Sequence, residues 1–208
     1  MSAPVILFLD VDGVLHPLLG HERQPLSCLP RLANVLQDFP EVLIVISSTW
    51  RLTRSLEDMR AIFPVDLRDR VIGATAVPGY EPRPGARQYE ALTWLDGYDQ
   101  AAQWVALDDY APHYFSLSRL VLCDHATGFA DAEERQLRQR LEQIRQFGSW
   151  TDYQARVITF FGAADKAIRW LNKPMEQFNG HSLRDLYDAG RLQELDDLLI
   201  RAKHGIVL

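Results

Sequence analysis

Short apolar runs alternate with longer amphipathic stretches through the first two-thirds of the chain. Val5-Ile-Leu-Phe-Leu9 and Val42-Leu-Ile-Val-Ile46 are apolar at every position. Continuous apolarity over five residues is what a parallel strand needs when helices cover both faces of its sheet. Trp104-Val-Ala-Leu107 and Leu120-Val-Leu-Cys123 predict two further strands, and Val71-Ile72 a short fifth one. Between them, Leu29, Leu32, Val35, Leu36 and Phe39 recur at helical spacing until Pro40. Thr53 or Ser55 is placed to cap a helix running towards Phe63 and stopped by Pro64. Ala91, Leu92 and Leu95 share a face within residues 88–95. Leu137, Leu141, Ile144 and Phe147 form a stripe on a polar helix whose acidic start, Asp131-Ala-Glu-Glu, suits a helix N-terminus. Strands alternating with helices predict right-handed crossovers and an α/β, Rossmann-like open parallel sheet.

Gly148-Ser149 interrupts this alternation, and only helical patterns follow. Tyr153, Val157 and Phe160 or Phe161 make one face; Ala164, Ile168 and Leu171 make another. Ser182 is placed to cap a third helix ending at Gly190. Leu192, Leu195, Leu198, Leu199 and Ala202 line a fourth, before Gly205. The expected organisation is an α/β domain over residues 1–150 and a small all-α domain over 151–208, with the boundary near residues 148–155.

Composition narrows the possibilities. Of 208 residues, 47% are hydrophobic and 24% charged, which suits a globular chain with a sizeable core. Lys and Arg total 22 against 28 Asp and Glu, so a nucleic-acid binder relying on global positive charge is not expected. Cys28 and Cys123 are too few for a disulfide framework or a zinc cluster, and a reducing cytoplasm is expected. No apolar run approaches a membrane span, and no basic segment with a long apolar core opens the sequence.

The chemistry lies where strands end. Asp10-Val-Asp12-Gly13 follows the first strand, Ser47-Ser48-Thr49 the second long one, and Asp108-Asp109 the strand after Leu92 and Leu95. In open parallel sheets the carboxyl ends of strands build the site. One carboxylate of Asp10 and Asp12 is placed to attack phosphorus and the other to handle the leaving group's proton. The hydroxyls of Ser47 and Ser48 are suited to phosphate oxygens. Four acids at one sheet edge would repel each other without a divalent cation, and oxygen-only ligands favour Mg²⁺. Asp-x-Asp-Gly also occurs in calcium loops, but the later ligands of such a loop are missing here.

These motifs resemble the haloacid dehalogenase-like (HAD) superfamily over roughly the first 130 residues. The resemblance implies Asp10 as nucleophile, Asp12 as general acid/base and Ser47 as phosphate ligand. It implies a Mg²⁺ site formed by Asp10, Asp12 through its main-chain carbonyl, Asp108 and Asp109. Members with an acid at the position of Asp12 are typically phosphatases or phosphotransferases. The family's usual Lys is missing, since no Lys lies between Ser47 and Asp108. Arg87, at the start of the helix before the Asp108 strand, is expected in its place, with Arg83 second. Ser47-Ser-Thr-Trp-Arg51 is similar to a subgroup of small bacterial HAD domains, some linked to RNA end repair, which would put Trp50 and Arg51 at the pocket mouth. Residues 16–41 and 52–86 are too short for a full cap domain, so an open site suited to an RNA end or a phosphoprotein is expected, unless another module covers it. His16, His21, His113 and His125 show no paired metal spacing and read as surface or core residues.

Residues 158–208 carry a second resemblance. Ala163-Ala164, Trp170-Leu-Asn172-Lys-Pro174, Asn179-Gly180-His-Ser182 and the closing helix to His204-Gly205 look like the toxin-binding C-terminal domain of Xre/MbcA/ParS-type antitoxins. This implies a partner such as a RES-type toxin, or a second copy of the chain, with Trp170, Phe178 and Tyr187 as core or anchor residues; DNA binding is not carried over. The leading expectation is a Mg²⁺-dependent phosphatase. The alternatives are a toxin-neutralising protein on a HAD-like scaffold and a phosphotransferase.

Overall fold

A computed structural model of the chain describes residues 4–18, 24–76, 84–99, 102–115, 117–148, 150–189 and 191–203. Arg83, His21, Ser149, Gly190, His204 and Gly205, singled out in the sequence, lie outside the described residues, as do the side chains of Phe147, Leu192 and Ala202. The chain divides into two compact units, Met1–Leu141 and Glu142–Leu208, the division falling inside one helix.

The first unit holds β1 (Val5–Leu9), α1 (Leu29–Asp38), β2 (Val42–Ile46), α2 (Leu56–Ala61), α3 (Val65–Arg68), β3 (Val71–Ala74), α4 (Ala86–Tyr98), β4 (Gln103–Asp108), β5 (Leu120–Leu122) and most of α5 (Asp131–Phe147). The strands form one sheet in the order β3-β2-β1-β4-β5, and every pairing is parallel. This is the α/β, Rossmann-like arrangement expected from the apolar runs. β1 is the innermost strand and every one of its residues is buried. The chain moves from β1 outwards to β3, then returns to place β4 on the other side of β1. The crevice at the carboxyl ends of β1 and β4 is therefore the topological switch point, where such folds bind ligands.

Two details depart from the sequence reading. The helix capped by Ser55 ends at Ala61, short of Phe63, and Pro64, in extended backbone, is the N-cap of α3. The short Val71-Ile72 run extends to Ala74, because Gly73 and Ala74 pair with Val45 and Ile46.

Arg70 secures the entry into β2. Its guanidinium donates to the carbonyls of Leu36 (2.7 Å), Phe39 (2.7 Å) and Val42 (2.8 and 2.6 Å), joining the end of α1 to the start of the strand. The Leu36 and Phe39 carbonyls already accept the Phe39 and Val42 N–H groups, and the guanidinium adds a charged donor at each.

In the second unit, α6 (Trp150–Phe161), α7 (Ala164–Asn172), α8 (Leu183–Asp188) and α9 (Leu192–Lys203) enclose their own core of Tyr153, Val157, Leu171, Leu183, Leu195 and Leu198. Phe178 and Tyr187 are buried in it, while Trp170 is partly buried and packs on Phe161 at 5.2 Å between ring centroids. Ser182 caps α8 reciprocally with Asp185. Among the described residues no helix is long and apolar enough to cross a membrane.

Replacing Arg70 by Met keeps the aliphatic stem but removes every guanidinium hydrogen bond to the Leu36, Phe39 and Val42 carbonyls. A loss of about 1–3 kcal/mol is expected, read as a lower urea-unfolding midpoint.

Candidate active site at the carboxyl ends of the strands

Strand register assembles the site. Leu9 pairs with Ile46 on one side and with Leu107 on the other. The next residues, Asp10, Ser47 and Asp108, therefore leave three adjacent strands at one level. The ladder continues into them: Asp10 N–H donates to the Leu107 carbonyl (2.9 Å), and Ser47 N–H to the Leu9 carbonyl (2.9 Å). Asp10 and Ser47 are buried, and Asp108 is fully so.

Asp10, Asp108 and Asp109 each offer a carboxylate oxygen, and these oxygens lie within 4.8 Å of one another. Burial, then the neighbouring Asp108 charge, pushes the Asp10 carboxyl up to about 7; Arg87, the Val11 N–H and the Ser48 hydroxyl pull the other way. Asp109 is raised by the same two causes in the same order. A cluster that resists full ionisation, with oxygen donors only, fits a hard divalent cation. Asp108 is held on both oxygens: the Tyr110 N–H donates at 2.9 Å and the Tyr114 hydroxyl at 3.1 Å.

Gly13 makes the close approach possible. Its φ of +73° is left-handed, and a Cβ there would come within 2.1 Å of Asp109 Oδ2. Gly85, also left-handed, precedes α4 and leaves room for the Phe115 ring; its N–H donates to the Pro112 carbonyl at 2.9 Å. The loop after β4 is thereby tied to the helix that carries Arg87.

The Ser47 hydroxyl and Arg87 Nη1 are buried polar atoms with no hydrogen-bond partner. Arg87 lies in the first turn of α4, where the sequence placed the missing cation, and it is 5% exposed. Unpaired buried donors are costly, and a bound anion is the natural acceptor for both.

The other expected site residues are held by contacts of their own. Arg51 donates to the carbonyls of Ser47 (2.5 Å), Ser48 (2.7 Å) and Thr75 (3.1 Å), and to Glu90 (2.7 Å). Its side chain is buried, not open at a pocket mouth, and it fixes the loop that presents Ser47. Ser48 caps the turn Thr49–Leu52 and donates to Asp10. The Asp12 carboxylate stands outside the three-acid group. It accepts from Trp50 Nε1 (2.8 Å) and contacts His16 Nε2 (3.2 Å).

His16 is buried and His113 partly exposed, in keeping with the sequence reading, and both lie beside site acids: His16 contacts Asp12, and His113 Nδ1 lies 3.8 Å from Asp108 Oδ1. His125 is exposed, as read from the sequence. Tyr114 and Glu90 were missed. Glu90 follows Arg87 by three positions on α4, a spacing that shares a helix face and could have revealed it. Nothing in the spacing of Tyr114 from Asp108 would have done so.

Because the Asp10 carboxyl is raised in the folded chain, the folded state holds a proton that the unfolded state loses from about pH 4 upwards. Without a divalent cation, this group's contribution to stability is present below about pH 4, and falls as pH rises towards about 7. Asp10→Asn should flatten that part of the profile and raise the melting temperature at pH 8 in the presence of a chelator. An unchanged profile would show that Asp10 does not carry the proton.

Comparison with known proteins agrees with this geometry. The curated relatives include two proteins named putative S-adenosyl-L-methionine-dependent methyltransferase, from Mycobacterium avium (strain 104) and Mycolicibacterium paratuberculosis (strain ATCC BAA-968 / K-10). Each is 32% identical over 143 residues, covering 66% of this chain and 44% of the relative. The chain thus spans less than half the length of these relatives. No solved structure matches significantly. The family described as the HAD domain in Swiss Army Knife RNA repair proteins matches residues 6–133, which include every strand from β2 to β5, nearly all of β1, and each acid of the cluster. With more than half of its length matched, the chain belongs to this HAD family.

Proposed function

We propose that the protein is a Mg²⁺-dependent phosphatase that hydrolyses phosphoric monoesters through an aspartyl-phosphate intermediate. The observation that carries this reading is the pair of unpartnered buried donors, Ser47 Oγ and Arg87 Nη1, in the same site as three clustered carboxylates. One feature calls for an anion and the other for a cation, and a phosphate ester with its metal supplies both.

Asp10, Asp108, Asp109 and the Asp12 carbonyl would hold the cation. When bound, Mg²⁺ neutralises the acids and withdraws charge from a phosphoryl oxygen. Asp10 attacks phosphorus in line. The bond to the leaving oxygen breaks, and that oxygen takes both the electron pair and a proton from Asp12. Asp12, now a carboxylate, then removes a proton from water. The water oxygen attacks phosphorus, the bond to Asp10 breaks, and inorganic phosphate leaves. Ser47 and Arg87 donate to the equatorial oxygens, the main contribution a protein makes to phosphoryl transfer. Arg87 does this with a planar fork where the family usually has a Lys point charge.

For the substrate class we favour a phosphorylated RNA end, which the family's description supports. A net charge of −6 is compatible with this if the terminal phosphate, and not a long backbone track, is what binds.

The test is phosphate release from 4-nitrophenyl phosphate, 3′- and 5′-phosphorylated RNA oligonucleotides and a phosphopeptide, with Mg²⁺ or a chelator. Turnover should require Mg²⁺ and favour RNA. Asp10→Asn should abolish it, and Ser47→Ala should lower kcat/KM by about 10- to 100-fold, the loss of one charge-assisted hydrogen bond. Activity surviving in Asp10→Asn would refute the mechanism, and a preference for the phosphopeptide would refute the substrate class.

A further inference from the structure

The Asp12 carboxylate is gripped at both oxygens, by residues from two different loops. Trp50 Nε1 donates to Oδ2 at 2.8 Å, and His16 Nε2 lies 3.2 Å from Oδ1. Indole nitrogen is only a donor, which fixes the direction of the first bond. The direction of the second follows from hydrogen-bond accounting. His16 Nδ1 is buried without a partner. A proton on Nδ1 would strand a buried donor, whereas a proton on Nε2 leaves only a lone pair there and donates to Asp12.

Trp50 is itself fixed. Its own N–H donates to the Ser48 hydroxyl (3.4 Å), and Arg51 clamps the Ser47 and Ser48 carbonyls that precede it. The Arg54 guanidinium lies 3.7 Å from the Trp50 ring centroid, and the His16 ring lies 6.1 Å away. The indole thus sits within a cation–π contact and beside an imidazole. The same turn that presents Ser47 also sets the direction of the Asp12 carboxylate.

We propose that Trp50 and His16 are positioning residues for Asp12, holding its carboxyl group in the orientation that delivers a proton to the leaving oxygen. This rests on the phosphatase reading above and assigns roles that the family's strand-end acids do not include. Each carboxylate oxygen has a second lone-pair direction, so two fixed donors orient Asp12 without saturating it. Proton transfer depends on such alignment, and it matters most when the leaving group is strongly basic.

The experiment compares kcat/KM for phenyl phosphate and 4-nitrophenyl phosphate, which have similar shapes but leaving groups of very different basicity. kcat/KM reports on steps up to leaving-group departure, so the later hydrolysis step does not enter. Trp50→Phe, which keeps a ring but removes the donor, should lower the phenyl phosphate value about tenfold or more and the 4-nitrophenyl value by less than about threefold. Asp12→Asn should show the same pattern more strongly. His16→Phe should shift the ratio in the same direction, and His16→Gln, which retains a donor, should recover most of it. The His16 pair carries the test alone if Trp50→Phe does not fold. An equal loss on both substrates for Trp50→Phe and His16→Phe, with Asp12→Asn still shifting the ratio, would overturn the positioning role and leave the phosphatase reading intact. No shift in Asp12→Asn, or no turnover by the wild-type protein, would instead remove the reading on which the proposal rests.

Discussion

Everything in the site follows from the pairing of β1 with β2 and β4 in one register. That pairing fixes Asp10 between Ser47 and Asp108, each the first residue past the last paired position of β1 with its neighbours. The central strand is buried along its whole length, so a one-residue slip would turn apolar side chains out of the core. The core thereby enforces an arrangement that electrostatics opposes. Burial first, and then the neighbouring Asp108 charge, raise the cost of ionising Asp10, whose carboxyl is pushed up to about 7. Stability of the sheet offsets the cost of crowding these acids.

Around that pair the protein distributes its positive charge unevenly. Two arginines share one half-buried glutamate. Arg51 takes the close contact with Glu90 at 2.7 Å, while Arg87 Nη1 stays at 3.8 Å. Arg51 is further occupied by three carbonyls, so its task is architectural. Arg87 Nη1 is left without a hydrogen-bond partner. Two residues of the same type thus differ in their hydrogen bonding: one holds the loop, the other keeps a donor without a hydrogen-bond partner. A Lys in place of Arg51 could not bridge three carbonyls and a carboxylate at once, because it lacks the planar fork.

The sequence was most informative where a single physical rule decides placement. Apolar runs of five residues marked β1 and β2, and the principle that parallel strands deliver their ends to a crevice then located Asp10, Ser47 and Asp108. The place of Arg87 in the first turn of the helix before β4 was legible from the helical pattern. The partners of these residues were not legible. Trp50 and Asp12 are 38 positions apart, and Arg51 and Glu90 are 39 apart. Hydropathy patterns report which face is buried, not which donor meets which acceptor across the fold. For the same reason His16 looked ordinary, since its contact with Asp12 depends on a turn whose geometry no periodicity encodes. In the tail, the helices and the Ser182 cap followed from periodicity and capping chemistry.

The central claim is that the cluster of acids and the two unpaired donors together form one binding site for a cation and a phosphoryl group. The most direct measurement is a crystal structure of the protein soaked with Mg²⁺ and a phosphate mimic such as beryllofluoride or tungstate. The account predicts the cation among the carboxylates of Asp10, Asp108 and Asp109, with the mimic's oxygens accepting from Ser47 Oγ and Arg87 Nη1. A cation bound elsewhere, or a mimic that leaves Ser47 and Arg87 without partners, would contradict it.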